Sequence, residues 1–212
     1  MAEYTFFFNP MSRAQIARWA LHEAAVDYEP VLVSFDDKPA ALLEANPLGK
    51  LPTIVHHHEG RDHIVTEAAA ICHYLAEMSA PELLPQPHEK ADYFRWLFYA
   101  AGPLEQAVTA HMLGWEVPPE REISAGFGNY ERALDAIEGW LARHDYVCGE
   151  RFTMADVYVG SAIDWGLQFG FIPQREAFET YAARFRKRPA YQEGKAIDGK
   201  LMAEMQAEGG DA

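Results

Sequence analysis

Few reactive side chains in the sequence are spaced to act together. The two cysteines, Cys72 and Cys148, form no CxxC pair, zinc-type cluster or disulfide framework. His56, His57, His58 and His63 raise the question of a metal. Strand alternation would send His57 to the opposite face from His56 and His58, and the carboxylates of Glu59 and Asp62 fall in a turn, so a polar hairpin is expected and no metal site. The segment Asn9-Pro10-Met11-Ser12-Arg13 offers more. It sets an amide, a hydroxyl and a guanidinium just ahead of a helical pattern, where the start of the helix favours an anion. The simpler reading makes Ser12 an N-cap and Asn9 a turn residue.

The elements that would position these groups can be read along the chain. Tyr4–Phe8 is a short β-prone run stopped by Asn9-Pro10, and a helix is expected over 12–25 with Ile16, Trp19 and Ala20 on one face. A second strand spans 27–34, with Pro30 placing it near an edge or a start. A short helix over 38–45 ends at Asn46-Pro47. A hairpin follows with arms at 51–56 and 62–65, and then a helix begins near Glu67 with Thr66 as its cap. The order β-α-β-α-β-β-α suits an α/β domain with a terminal antiparallel hairpin. Pro81, Pro85 and Pro87 mark a linker, and everything beyond is helical. The segments are a long helix over 88–114, one carrying Tyr130, Leu134, Ile137 and Leu141, and one opened by a Thr153–Asp156 capping box and running toward Trp165. Two shorter ones follow over 174–187 and 190–205, with a fraying tail at 208–212. Domains are therefore expected at 1–80 and 89–212, joined by 81–88.

Bulk properties narrow the function. Apolar residues make up 49% of the chain and aromatics 13%, which argues against disorder. A net charge of −14 repels nucleic acid and anionic lipid, so neither is an expected partner. The N-terminus lacks signal-peptide features, and no apolar run approaches the roughly 18 residues needed to span a bilayer. A cytoplasmic protein is expected.

Four segments in order resemble the cytosolic glutathione S-transferases, in particular bacterial theta- or beta-like members with Asn or Ser in the activation loop. They are Asn9–Arg13; Asn46-Pro47-Leu48-Gly49-Lys50-Leu51-Pro52, similar to the family's NPxGKxP; Thr66–Leu75, similar to ESxAIxxYL; and Gly149–Asp156, similar to the family's folding motif. They span nearly the whole chain. The resemblance implies a thioredoxin-like N-terminal domain followed by a helical-bundle C-terminal domain.

The resemblance also implies a site for glutathione as co-substrate, without a metal. Its thiol ionises near ~8.5 when free and must be activated. Ser12, Asn9 and Arg13 are the candidates, and Tyr4 lies too early in its strand to serve. Leu51, before a cis Pro52, would pair by backbone with the cysteinyl part. The helix start at Glu67 and Ala68 would receive the γ-glutamyl group, Glu67 taking the ammonium and the N–H groups the carboxylate. Lys50 and, secondarily, Lys38 would take the glycyl carboxylate; either can instead be a solvated surface charge. Ala68 departs from the family's Ser or Thr. A hydrogen bond to a charged group contributes roughly 1.5–3 kcal/mol, so about a tenfold weaker affinity is expected. An electrophile pocket would draw on Pro10, Met11, His111, Met112 and Trp115.

The implied activity is conjugation of the glutathione thiolate to a small hydrophobic electrophile, a detoxifying transferase acting as a homodimer. Two rivals stand beside it: glutathione-dependent reduction, peroxidase or isomerase chemistry, and a non-catalytic protein-binding module of the same fold.

Overall fold

A computed structural model describes residues 2–209. The chain divides into two compact units, residues 1–82 with 187–212, and residues 83–186. The C-terminal segment, counted by sequence with the helical domain, belongs by its contacts to the first unit.

The first unit is built on a four-stranded sheet of β1 (Tyr4–Phe8), β2 (Tyr28–Leu32), β3 (Thr53–His58) and β4 (Arg61–Thr66), in the order β2-β1-β3-β4. β1 runs parallel to β2 and antiparallel to β3, and β3 and β4 form the hairpin. β2 is an edge strand, which tolerates Pro30 because a proline has no N–H to give a neighbour. β1 is central and covered on both faces, so Tyr4, Phe6, Phe7 and Phe8 are all buried. Phe7 packs with Val33 and with Leu42 of α2 (Ala40–Ala45). On the other face, the Arg18 guanidinium of α1 (Ala14–Glu23) lies 4.3 Å from the Phe8 ring centre, and the Tyr4 hydroxyl is 3.3 Å from Ser79 of α3 (Ala68–Ser79). Ile16, Trp19 and Ala20 are buried as expected.

Arg18 is buried as well, because α9 (Pro189–Gly209) covers the other side of α1. α9 runs beyond the 190–205 expected, and the rest of the tail expected to fray lies outside the described residues.

In the second unit, the long helix expected over 88–114 is broken. α4 (Lys90–Tyr99) passes through a wide π turn at Ala100–Leu104 into α5 (Glu105–Met112). Pro103 sits in that turn; it has no N–H for a regular helical bond, and its ring crowds the preceding turn. α6 (Tyr130–Leu141) buries Leu134, Ile137 and Leu141 at the expected spacing. α7 (Met154–Phe169) is the buried core helix, and α8 (Glu176–Phe185) packs on it through Phe185, which fills the space beside Gly160.

The capping box at Thr153 and Asp156 is present in both directions. Asp156 is fully buried and accepts from Val147 N, Thr153 N, Thr153 Oγ1 and Tyr181 Oη at 2.8–3.0 Å. One carboxylate thereby ties the 147–153 loop, the start of α7 and α8 together. No helix among the described residues is long and apolar enough to cross a membrane.

The histidines obey strand alternation. His56 and His58 stack at 5.0 Å on one face, while His57 on the other bonds Thr5 and Asp62. Among the described residues, no group of three His, Cys, Asp or Glu side chains is arranged to hold a metal. His56 is buried between Tyr4 and His58, with Tyr74, His63 and Glu3 also around it. Burial lowers its pKa from the usual 6.5; Glu3 opposes this and the neighbouring histidines add to it.

Two outcomes are expected. Asp156→Asn turns one acceptor into a donor against groups that already donate. It should cost about 3 kcal/mol of unfolding free energy, read from denaturant midpoints. A lowered histidine pKa means that the unfolded chain takes up the proton first. Stability should therefore be full above pH 6.5 and fall on acidification below it. Between about pH 7.5 and about pH 5.5, His56→Gln should flatten that decline.

Candidate functional site

Sheet register gathers the candidate segments of the first unit at one end of the sheet. Thr53 pairs with Phe7 on one side and Thr66 on the other. Asn9 follows β1, Leu51-Pro52 precede β3, and Glu67-Ala68 follow β4, so all three segments leave the sheet beside Thr53.

The middle segment is held by a buried amide. Asn46 Nδ2 donates to Lys50 O and to Thr53 Oγ1, both at 3.1 Å, and its Oδ1 accepts from Leu48 N at 3.2 Å. Thr53 Oγ1 donates to the same Lys50 carbonyl at 3.1 Å. The turn closes through Gly49 N to Asn46 O at 2.7 Å. Gly49 has φ +58, and a Cβ there would lie 3.2 Å from Lys38 Nζ. Glycine therefore serves twice, taking the left-handed backbone and letting the Lys38 chain pass over the turn. Lys50 projects from this turn and is exposed, so both lysines belong to one stretch of surface. The Leu51-Pro52 peptide is cis, as the resemblance implied. Among the described residues, the Leu51 N–H and C=O have no backbone partner.

Glu67 rather than Thr66 stands at the start of α3, because Thr66 still belongs to β4. Glu67 has φ +64 and ψ 113, a conformation that side chains avoid, and it makes no side-chain capping bond. Its side chain is exposed and the first turn of α3 contains no acid. Such backbone strain costs of order 1–3 kcal/mol and persists where the surroundings hold it. Here it aims the first N–H groups of α3, starting at Ala68, out of the chain's own capping pattern.

In the loop after β1, Asn9 is buried. Its Nδ2 donates to Val33 O and its Oδ1 accepts from Met11 N, both at 2.9 Å. Both ends of the amide are thus spent on bracing the loop. Ser12 is half-buried; its Oγ donates to Asn9 O at 2.7 Å and accepts from Ala14 N at 3.1 Å. Arg13 is exposed. Tyr4 is fully buried, and burial raises its pKa.

Cys72 is buried in α3, and burial pushes its thiol far up. The Cys148 thiol is pushed up to about 12 by the same cause. Neither suits a nucleophile.

Pro10 and Met11 belong to the first unit, and His111, Met112 and Trp115 to the second. Met11 is 51% exposed, and Trp115 67%. His111 stacks on Tyr130 at 4.0 Å, so one face of its ring is covered.

Sequence reasoning missed the side-chain roles of Asn46 and Thr53; Asn46 registered as a helix stop. It also missed Gln15, whose Nε2 donates to Pro10 O at 2.5 Å while its Oε1 accepts from Lys195 Nζ at 2.8 Å. No local pattern announces a bond that joins α1 to the last helix.

Comparison with known proteins identifies the family of both domains. Residues 10–78 match the glutathione S-transferase N-terminal domain, and residues 96–189 match the C-terminal domain of the same family. Glutathione S-transferase 1 of Schizosaccharomyces pombe is 30% identical over 182 residues, covering 78% of this chain and 75% of that protein. The disulfide-bond oxidoreductase YghU of Escherichia coli is 24% identical over 193 residues, covering 84% of this chain and 67% of that protein. A theta-class glutathione S-transferase of Xanthomonas axonopodis pv. citri, solved with glutathione bound, superposes with a TM-score of 0.70 at 29% identity, covering 92% of this chain and 97% of that one. With a thioredoxin-like unit, a helical unit and these matches in hand, the chain belongs to the glutathione S-transferase family.

Proposed function

We propose that this enzyme activates glutathione and transfers its thiolate to the electrophilic carbon of a small apolar molecule. The observation that carries the reading is the convergence, at one end of the sheet, of an open backbone edge at Leu51 and an uncapped helix start at Ala68. The first suits the cysteinyl backbone, and the second suits the γ-glutamyl carboxylate. Glu67 takes the ammonium. Lys50, with Lys38 passing over the same turn, takes the glycyl carboxylate in a chain that is otherwise strongly acidic.

Ser12 is the activator in this reading. Its hydroxyl already accepts from Ala14 N, so turning the O–H from Asn9 O toward a thiolate changes one torsion and breaks one bond. Asn9 is buried, with its amide bonded to Val33 O and Met11 N, and it acts as the brace. Arg13 and the N-terminus of α1 add positive potential. The thiol proton leaves to solvent, sulfur bonds to carbon, and the leaving group departs with its electron pair. Pro10 is buried, and the exposed Met11 beside it supplies apolar surface for the electrophile on the first unit.

The exposed, stacked pair Phe94–Phe98 on α4 is an apolar face that a second copy would cover, in keeping with a homodimer. A second reading, glutathione as reductant, draws on the relative named a disulfide-bond oxidoreductase. Accumulation of oxidised glutathione, rather than a thioether, would mark it.

Conjugation of an aryl halide by the purified protein tests the reading, and inactivity across several electrophile classes would reject it. Ser12→Ala should lower kcat about a hundredfold and raise the pKa of the bound thiol while leaving glutathione affinity nearly unchanged. Ala68→Ser restores a hydroxyl at the carboxylate and should tighten glutathione binding about tenfold in calorimetric titration.

A further inference from the structure

We propose that Gln15 and Lys195 are positioning residues for the thiol-activating loop, so that α9 controls the ionisation of bound glutathione. The inference rests on the reading of Ser12 given above. Two hydrogen bonds carry it: Lys195 Nζ to Gln15 Oε1 at 2.8 Å, and Gln15 Nε2 to Pro10 O at 2.5 Å.

A lysine ammonium only donates and a backbone carbonyl only accepts. The amide between them therefore has one orientation that satisfies both. Turned over, it would set N–H against ammonium and oxygen against oxygen. Lys195 thus decides which end of Gln15 faces the loop. The loop is otherwise tied through Asn9, which bonds Val33 O and Met11 N, and through the Ser12 hydroxyl on Asn9 O. Pro10 lies between these ties, and its carbonyl is the point at which α9 reaches the turn from which Ser12 projects.

α9 is a firm platform for such a relay. The buried pair Arg18–Asp198 closes at 2.9 Å, Arg188 holds both oxygens of Glu23 at 2.6 and 2.7 Å, and Tyr191 packs edge-on against Trp19 at 5.0 Å. These contacts fasten α9 to α1 further along and do not touch the loop.

The test follows the thiolate absorbance of bound glutathione against pH, together with kcat, glutathione affinity and Tm, in the parent and three variants. Gln15→Glu still accepts from Lys195 and places an acid in the first turn of α1, but it sets a carboxylate oxygen against Pro10 O, so Tm should fall modestly. Its carboxylate cannot donate to Pro10 O. The bound thiol should titrate at higher pH and kcat should fall about ten- to a hundredfold, with affinity nearly unchanged. Lys195→Met frees the amide to turn and should shift the titration in the same direction by less. It decides the matter if Gln15→Glu does not fold. Arg188→Met should lower Tm and leave the titration in place.

A parental titration in both Gln15→Glu and Lys195→Met would overturn the relay. So would an Arg188→Met shift as large as that of Gln15→Glu, since α9 would then act through general stability. A parent that binds glutathione without ionising it would overturn the functional reading and the relay together, whereas failure confined to the variants overturns the relay alone.

Discussion

Thr53 pairs with Phe7 on one side and Thr66 on the other, and the site follows from that register. Three chain segments must leave the sheet at the same place, and each arrives with backbone groups to satisfy. Two of them are satisfied internally by buried side-chain amides. Asn9 closes the loop after β1, and Asn46 closes the turn before β3. The third, at Glu67, is held in an unfavourable conformation. What remains open is a short stretch of backbone at Leu51 and the start of a helix, and those are the groups that an extended peptide with an acid end requires.

Charge reinforces the selection. The chain carries a formal charge of −14, yet the proposed site gathers Lys50 on a turn and Lys38 passing over it. A general attraction for polyanions is absent from such a protein, and a local one for a small carboxylate is present. The reactive group need not come from the protein. Burial raises the pKa of both cysteine thiols, so in the proposed function the thiol to be ionised is the one brought by the ligand.

Much of the fold was legible because its signals are local. Pro30 marked an edge strand, the Thr153–Asp156 spacing marked a helix start, and strand alternation separated His57 from His56 and His58. The motif-bearing segments named the candidate site residues, and the cis peptide before Pro52 came with them. What escaped was non-local. Arg18 carries a charge that periodicity assigns to water, but Asp198, 180 residues away, makes its burial possible. Pro103 was visible in the sequence, but the helical pattern on both sides hid the turn it forces. Nothing local in the sequence marks Gln15, whose partner Lys195 lies 180 residues away.

The most direct test of this account is a crystal structure with glutathione bound. The cysteinyl N–H and C=O should pair with the Leu51 backbone, the γ-glutamyl carboxylate should sit on the Ala68 N–H, and the sulfur should lie within about 3.5 Å of Ser12 Oγ. Glutathione held elsewhere on the chain, or bound here with its sulfur turned away from the Asn9–Arg13 loop, would contradict it.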